Sequence, residues 1–283
     1  MTSRLALTIL VDNTTLTDRD FVGEPGLSFF IETAKKRILF DTGLTDLFLA
    51  NARKMGIGLE DLDYLVLSHG HIDHTGGLAP LIRHLDDATI DGRQPRVPEL
   101  VAHPHCFWPK EKNQKSNGSV VSEEEARLNF PFHLSDVPMW LTDDLVFLGE
   151  IPRKHAFEQG EAETRMVHRP DGAIVPDTLP DDTALAFRSA KGLVIITGCS
   201  HAGICNIIEQ AREVCGENRV AAIIGGLHLL NPRPQRLKMT GEYLRKVQPD
   251  TLYACHCTSL AAKIALAKYC PIHETGVGMR LEW

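Results

Sequence analysis

Residues 68–77 read SHGHIDHTGG, and this stretch decides both the fold class and the chemistry. It places His69, His71, Asp73 and His74 within six positions, directly after the apolar run YLVL at 64–67. Imidazole and carboxylate groups are the usual protein ligands of Zn²⁺, and they also suit Mn²⁺ and Fe²⁺. A solvated polar turn explains one histidine but not this density. The spacing therefore predicts a metal-binding turn at the end of a strand.

The composition argues against several classes of protein. The chain has 283 residues, of which 43% are hydrophobic and 24% charged, and its net charge is −7. No stretch concentrates Lys or Arg, which disfavours nucleic acid as a partner. The seven cysteines lack the spacing of a disulfide framework and predict reduced thiols in a cytoplasmic protein. No apolar run approaches membrane-spanning length, so no membrane partner is expected.

The order of apolar patterns indicates how the chain is organised. Short β-rich runs follow one another early in the chain, and later runs alternate with helical periodicity, as at 203–214. This order fits an α/β protein with two sheets covered by helices on their outer faces. We expect a single domain, 1–283, with a lid or loop insertion at about 105–140, where Pro, Asn, Gly and Glu are frequent.

Polar side chains recur where an apolar run ends. The carboxyl ends of neighbouring strands usually open on one edge of a sheet and form a shared cleft. We therefore expect one cleft to contain the residues that follow these runs, namely Asp12, Asp41, His69, Cys199, His228 and His256.

The H-x-H-x-D-H turn and the segment ILFDTG at 38–43 resemble the metallo-β-lactamase superfamily. The resemblance spans nearly the whole chain. It implies a four-layer αβ/βα sandwich, with two mixed β-sheets flanked by helices and a one- or two-metal site between them. Asp41 would then support the metal ligands through hydrogen bonds.

Several shorter motifs are similar to one branch of that superfamily. This branch comprises metal-dependent hydrolases and includes dihydropterin–ribofuranosylaminobenzene 5′-phosphate synthase-like proteins. The motifs are VDN at 11–13, GLSFFIE at 26–32, GEIPR at 149–153, TGCSHAGI at 197–204, GGLHL at 225–229 and HCTS at 256–259.

The resemblance also implies which histidines complete the site. Members of the superfamily often carry a Gly-His and then a Gly-Asp for the remaining ligands, and neither is clear in this sequence. Instead ITGCSHAG puts Cys199 at the position of the usual bridging aspartate and supplies His201. We expect His201 to join His69 and His71 in a first site.

Asp73, His74 and a late histidine would form the second site. His256 is preferred for that place, and His228 is the competitor or a hydrogen-bond donor to substrate. Cys199 is either a small buried side chain or a thiolate ligand, and Cys257 is expected to be a packing residue.

A metal centre of this kind predicts a hydrolase that attacks a small ester, lactone, amide or phosphoester, with Asp73 and His74 as catalytic residues. The alternative is a pterin-condensing synthase, as in the branch named above. A redox or metal-sensing protein and a nuclease are weaker alternatives, because the chain has no room for a further domain and carries no basic insertion. Zn²⁺ is expected, as one or two ions, with Mn²⁺ or Fe²⁺ as alternatives.

Contacts to the substrate, possibly phosphorylated or pterin-like, are harder to assign. Arg153 and Glu158 follow an apolar run, and Arg153 could bind a phosphate or carboxylate or form a structural ion pair. Trp108 could stack on a planar ring or anchor its loop by packing. Asp12 and Asn13 could orient a loop near the metals, or Asn13 could form an Asx turn.

Overall fold

The computed structural model describes residues 4–158 and 165–283, and its first sheet is built mainly from the N-terminal half of the chain. In spatial order this seven-stranded sheet consists of β17 (Arg280–Glu282), β1 (Leu5–Val11), β2 (Ser28–Thr33), β3 (Arg37–Phe40), β4 (Tyr64–Val66), β5 (Glu99–Ala102) and β8 (Phe132–Leu134). Strands β1, β3 and β4 run in the same direction, because β2 is antiparallel to both β1 and β3, and β3 is parallel to β4.

The second sheet comes from the C-terminal half and has six strands. Its last three strands along the chain are parallel neighbours, so their carboxyl ends meet at one edge. In spatial order the sheet consists of β16 (Thr251–Cys255), β15 (Val220–Gly226), β14 (Gly192–Thr197), β13 (Ala184–Ser189), β10 (Leu145–Phe147) and β9 (Met139–Trp140).

Helices cover the outer faces of these two sheets. They are α1 (Leu47–Lys54), α2 (Ile72–Thr75), α3 (Leu78–Ile90), α4 (Glu123–Asn129), α5 (Ile204–Cys215), α6 (Pro234–Val247) and α7 (Leu260–Leu266). Within the described ranges, no helix is both long and apolar enough to cross a bilayer.

Alternation along β14 shows why the layers form. Val194 and Ile196 pack in the core between the two sheets, together with residues of β2 and β3 such as Phe29. Leu193 and Ile195 point the other way, into the core beneath helix α5. A strand that is buried on both faces has a continuous apolar sequence, as β14 does. The four-layer α/β sandwich expected from the sequence is confirmed.

A third sheet was not expected from the sequence. It has four strands, in the order β12 (Ile174–Pro176), β11 (Arg165–His168), β6 (Lys110–Lys112) and β7 (Lys115–Ser116). Strands β6 and β7, helix α4 and strands β8 and β9 all lie within residues 105–140. The segment expected to be a lid or loop therefore contains much regular structure, and β8 completes the first sheet. Short polar strands of two or three residues give little signal in a sequence.

Gly225 in β15 provides a test of the strand packing that leads into the site. Its φ is +131°, and a Cβ atom there would lie 2.0 Å from the backbone oxygen of Thr197 on β14. We expect Gly225→Ala to lower the free energy of unfolding by about 2–5 kcal/mol, because strain and a backbone clash add. Gly92→Ala is the matched control, since Gly92 also has positive φ but has nothing within 4 Å. Equal losses in urea unfolding of the two variants would contradict this account.

Candidate metal centre

The first candidate group consists of His69, His71 and His201, all of them buried. His69 and His71 come from the turn after β4, and His201 comes from the turn after β14, so the group joins the two sheets. The Nε2 atom of His69 lies 2.9 Å from Nδ1 of His71. The His201 ring lies 4.9 Å from the His69 ring and 4.8 Å from the His71 ring, between centroids.

The second group consists of Asp73, His74, Cys199 and His256, and it adjoins the first. The ring centroids of His69 and His74 are 4.3 Å apart. Nε2 of His74 lies 3.2 Å from Sγ of Cys199. Oδ2 of Asp73 lies 3.5 Å from Nε2 of His256 and 3.8 Å from Nε2 of His74. Within each group the possible ligand atoms lie no more than 4.8 Å apart.

Hydrogen bonds from Asp41 determine which nitrogens of the histidines face inward. Its fully buried carboxylate accepts from Nδ1 of His74 at 2.7 Å, so the Nε2 atom of His74 carries the lone pair. The same carboxylate accepts from the hydroxyl of Ser68 at 2.7 Å. The Ser68 oxygen therefore accepts from Nδ1–H of His69 at 3.0 Å, which leaves Nε2 of His69 unprotonated and with a lone pair.

Asp12 and Asn13 hold His256 in the same way from the first sheet. Oδ1 of Asp12 accepts from the backbone N–H of His256 at 2.7 Å, and Oδ1 of Asn13 accepts from its Nδ1 at 2.8 Å. Nε2 of His256 is buried, without a hydrogen-bond partner, and faces Asp73. The three polar residues expected to support the site, Asp12, Asn13 and Asp41, therefore all contact histidines of the two groups.

Burial keeps the first group uncharged. It lowers the pKa of His69 and His201 well below the ordinary value and that of His71 to about 3, and the neighbouring imidazoles add to the effect for His69 and His201.

In the second group, burial alone would lower the pKa of His74, but the carboxylates of Asp41 and Asp73 outweigh it and raise the pKa. Burial would raise the pKa of Asp73, yet the imidazoles beside it hold that pKa well below its usual range.

These observations fit a divalent cation. Inward-facing lone pairs on His69 and His74, and the buried, unpartnered Nε2 atoms of His201 and His256, are costly unless something positive lies between them. The neutral imidazoles of the first group and the ionised Asp73 are also in the protonation states that bind metals. The ring nitrogens turned outward donate to Asp41, Ser68 and Asn13, as is usual for metal-binding histidines.

A pair of cysteines borders the second group. Burial and the neighbouring Cys257 raise the pKa of the Cys199 thiol, whereas the Cys199 S–H and His256 lower that of Cys257 despite its burial. Sγ of Cys257 also accepts from the backbone N–H of His228 at 3.1 Å. The interpretation of Cys257 as a packing residue was wrong. The segment after β16 is not extended, because His256 has φ +47° and turns the chain.

The loop between His69 and His71 rests on a buried ion pair that the sequence did not reveal. Oδ2 of Asp181 accepts from the Gly70 N–H at 2.8 Å and lies 3.2 Å from Nζ of Lys110. Both charged side chains are at most 1% exposed. A Cβ atom at Gly70 would lie 1.8 Å from the backbone oxygen of Cys106, so only glycine fits this close approach. Asp181 and Lys110 come from unremarkable polar segments, which explains why pattern reasoning missed them.

Arg153 and Glu158 do not face the two groups. The Arg153 guanidinium donates to the backbone oxygens of His201, Thr178 and Leu179, so it fixes loops instead of binding an anion. The buried Glu158 carboxylate accepts from two backbone N–H groups, those of Cys205 and Asn206, at the start of α5. Both side chains serve structure here, and the expectation of substrate contact is corrected.

Trp108 and His228 belong to neither group. The Trp108 ring stacks on His105 at 3.6 Å between centroids and borders a cavity of about 450 Å³, whose lining includes no residue of either group. The His228 ring lies 4.2 Å from the His201 ring, and its Nε2 atom lies 3.4 Å from Nη2 of Arg165. The structure thus places His256, and not His228, among the four residues of the second group.

Comparison with known proteins agrees with this architecture. A family model described as the metallo-beta-lactamase superfamily matches residues 22–256. The 7,8-dihydropterin-6-methyl-4-(β-D-ribofuranosyl)-aminobenzene-5′-phosphate synthase of Methanocaldococcus jannaschii is 31% identical over 255 residues, which cover 86% of this chain and 84% of that protein.

Solved structures give the same result. The crystal structure of a metal-dependent hydrolase of the β-lactamase superfamily superposes with a TM-score of 0.82 and 26% identity, covering 98% of each chain. A diphosphatase from the PhnP family shares the fold, with a TM-score of 0.55 and 17% identity over 100% of this chain and 98% of the other. The chain belongs to the metallo-β-lactamase superfamily.

The ion pair beneath Gly70 gives a stability prediction. Asp181→Asn leaves the buried Lys110 with only the Asp177 carboxylate, at 4.0 Å, so we expect the free energy of unfolding to fall by about 3 kcal/mol, the lower end of the cost of breaking a buried ion pair. Burial alone would raise the pKa of Asp181, but Lys110 and the Gly70 N–H hold it below its ordinary value. The carboxylate therefore stabilises the fold above about pH 4, the value of an unfolded Asp, and this contribution is lost as the pH falls further.

Urea unfolding between pH 3 and pH 7 measures this difference. The control is Glu213→Gln, which removes an exposed partner of Lys154 and should cost no more than about 0.5 kcal/mol. A difference between wild type and Asp181→Asn that stayed constant down to pH 3 would show that the pair is not responsible.

Proposed function

We propose that this protein is a metal-dependent hydrolase that acts on a small ester, lactone, amide or phosphoester. The observation that supports the proposal is the convergence of seven possible ligand residues from both sheets, with the lone pairs of their histidines fixed inward by Asp41, Ser68 and Asn13. We propose His69, His71 and His201 as ligands of a first ion, and Asp73, His74 and His256 as ligands of a second. Zn²⁺ is our first choice, with Mn²⁺ or Fe²⁺ as alternatives.

A divalent ion, when bound, supplies a lowered pKa for a coordinated water and polarises the oxygen of the scissile bond. The protein's own residues supply the rest. The Asp73 side chain is about one-third exposed and ionised, so it can orient the attacking water and accept its proton. His74 is proposed as a metal ligand through Nε2 and donates from Nδ1 to Asp41, so it positions the ion and does not carry the proton.

A pterin-condensing synthase is the second candidate. It is favoured by the synthase of Methanocaldococcus jannaschii, which matches 86% of this chain. In that reaction pyrophosphate would leave and no water need attack. Cys199 at the position of the usual aspartate is compatible with either reaction, because a protonated thiol removes one negative charge from the site.

The proposal predicts that the first group is indispensable. His71→Ala should reduce bound metal and lower turnover by at least about 100-fold, because a ligand and an oriented site are lost together. Elemental analysis, ester and phosphodiester turnover, and circular dichroism report metal, activity and fold. Normal turnover by a folded His71→Ala variant would refute the hydrolase proposal.

The second ligand set is tested by paired substitutions. His256→Ala should lose about one metal ion per chain, whereas His228→Ala should retain the wild-type metal content, because His228 lies outside the second group. Elemental analysis of both variants decides the matter, and metal loss restricted to His228→Ala would reverse the assignment.

The two candidate reactions are separated by substrates. The metal-loaded protein is incubated with a pterin diphosphate and an aminobenzene ribofuranosyl phosphate, and in parallel with ester and phosphodiester substrates. Condensation product without hydrolytic turnover would favour the synthase and count against the hydrolase.

A further inference from the structure

Two arginine side chains near the two candidate ligand groups lack a carboxylate partner in the described part of the chain. Arg165 begins β11, and Arg236 lies in the first turn of α6. Each has a buried Nε atom without a hydrogen-bond partner. Among residues 4–158 and 165–283, no carboxylate lies within ion-pair distance of either guanidinium. Burying a positive charge without a countercharge costs free energy, so buried arginines in proteins are usually paired with an anion.

The carboxylate of Glu158 does not satisfy Arg236. Glu158 attracts it at longer range, but the Glu158 oxygens already accept from backbone N–H groups of helix α5. Burial lowers the pKa of Arg236, yet a guanidinium stays protonated in proteins. The charge is therefore present and available to a ligand.

Both arginines act on His228, which links them to the metal groups. Nη2 of Arg165 lies 3.4 Å from Nε2 of His228, and the His228 ring lies 4.2 Å from that of His201. The charge of Arg236 also acts on the His228 ring, so this side chain lies near it as well. His228 therefore lies between the cationic side chains and the first group.

A third positive charge comes from the small sheet. Lys112 on β6 is the direct cross-strand partner of Arg165 on β11, so the two side chains lie on the same face of that sheet. Lys112 is also close enough to His228 for its charge to act on that ring. Lys112 is exposed, whereas both arginines are partly buried, so the lysine lies at the solvent side of the cluster.

The chemistry of this cluster selects its ligand. Two guanidinium groups offer forked N–H donors that match phosphate oxygens, and a lysine adds a point charge. A phosphomonoester carries nearly two negative charges at neutral pH, enough to balance the two partly buried cations. A single carboxylate would neutralise only one of them.

We propose that Arg165, Arg236 and Lys112, with His228, form a subsite for a phosphomonoester group of the substrate, next to the metal groups. This rests on the proposed function, because the subsite would hold a phosphate at one end of a substrate whose reacting bond lies at the metal centre. The substrate class is then a phosphorylated small molecule. Arg153, which the sequence favoured for this role, is committed to backbone carbonyls.

The test uses the purified full-length protein with its metal, and inorganic phosphate as the probe. Isothermal titration calorimetry should show that Arg165→Gln and Arg236→Gln each weaken phosphate binding at least tenfold, with metal content unchanged by elemental analysis. The matched control is Arg219→Gln, which alters an exposed arginine before β15, paired with Asp250 at 3.2 Å and at the opposite end of that strand from His228. It should bind phosphate like the wild type.

Thermal unfolding separates binding from a structural role. Without phosphate, both variants should unfold at the wild-type temperature or above it, because an uncompensated charge is removed. Phosphate should then raise the unfolding temperature of the wild type but not that of the variants. If the variants unfold earlier without phosphate, the arginines are structural and the proposal is wrong.

Two further outcomes would overturn the subsite. One is equal phosphate affinity in wild type and both variants, which would mean that phosphate binds only at the metal ions. The other is acetate binding as tightly as phosphate. A third outcome would refute the proposed function but support the subsite. In it, phosphate binding depends on the arginines although the protein holds no metal and hydrolyses none of the substrates.

Discussion

The buried carboxylate of Asp41 is the interaction on which the rest of the site depends. It accepts hydrogen bonds from the backbone and hydroxyl of Ser68 and from the His74 ring, each at 2.7 Å, in a place without solvent. A buried carboxylate must be satisfied in this way, so the turn after β3 and the turn after β4 are fixed together. The Asp41 carboxylate thereby determines the tautomers of His74 and His69. The Asp41 backbone has φ +58°, an unusual conformation that tertiary packing must stabilise.

Charge is distributed unevenly around the cleft. The first histidine group is kept neutral by burial, whereas Asp73 remains ionised. Arg165 and Arg236 carry positive charges nearby, without a carboxylate partner among residues 4–158 and 165–283. The metal groups and the arginine cluster meet at His228, which touches both. A phosphorylated substrate would therefore place its phosphate next to Arg165 and Arg236, and its reacting bond next to the proposed metal ligands. Both sets of side chains would be oriented before the substrate binds.

Cys199 is the one cysteine in the second group. Its Sγ atom lies 3.2 Å from Nε2 of His74, and its backbone oxygen lies 3.4 Å from Sγ of Cys257. The two cysteines come from turns after β14 and β16, which are brought together because both strands flank β15 in a parallel arrangement. A thiol loses its proton near a bound cation and is then a softer ligand than a carboxylate. Cys199 would therefore favour a softer metal ion at this position.

The sequence by itself determined the sandwich and the local part of the site. His69, His71, Asp73 and His74 lie within one turn, and Asp41 follows an apolar strand, so their proximity is a consequence of short-range geometry. The tertiary structure alone decided the remainder. It placed His256 and not His228 in the second group, turned Arg153 and Glu158 to structural roles, and brought Arg165, Arg236, Lys110 and Asp181 to the site. These residues lie far apart along the chain, and their contacts arise only when sheets and helices pack, which no local pattern encodes.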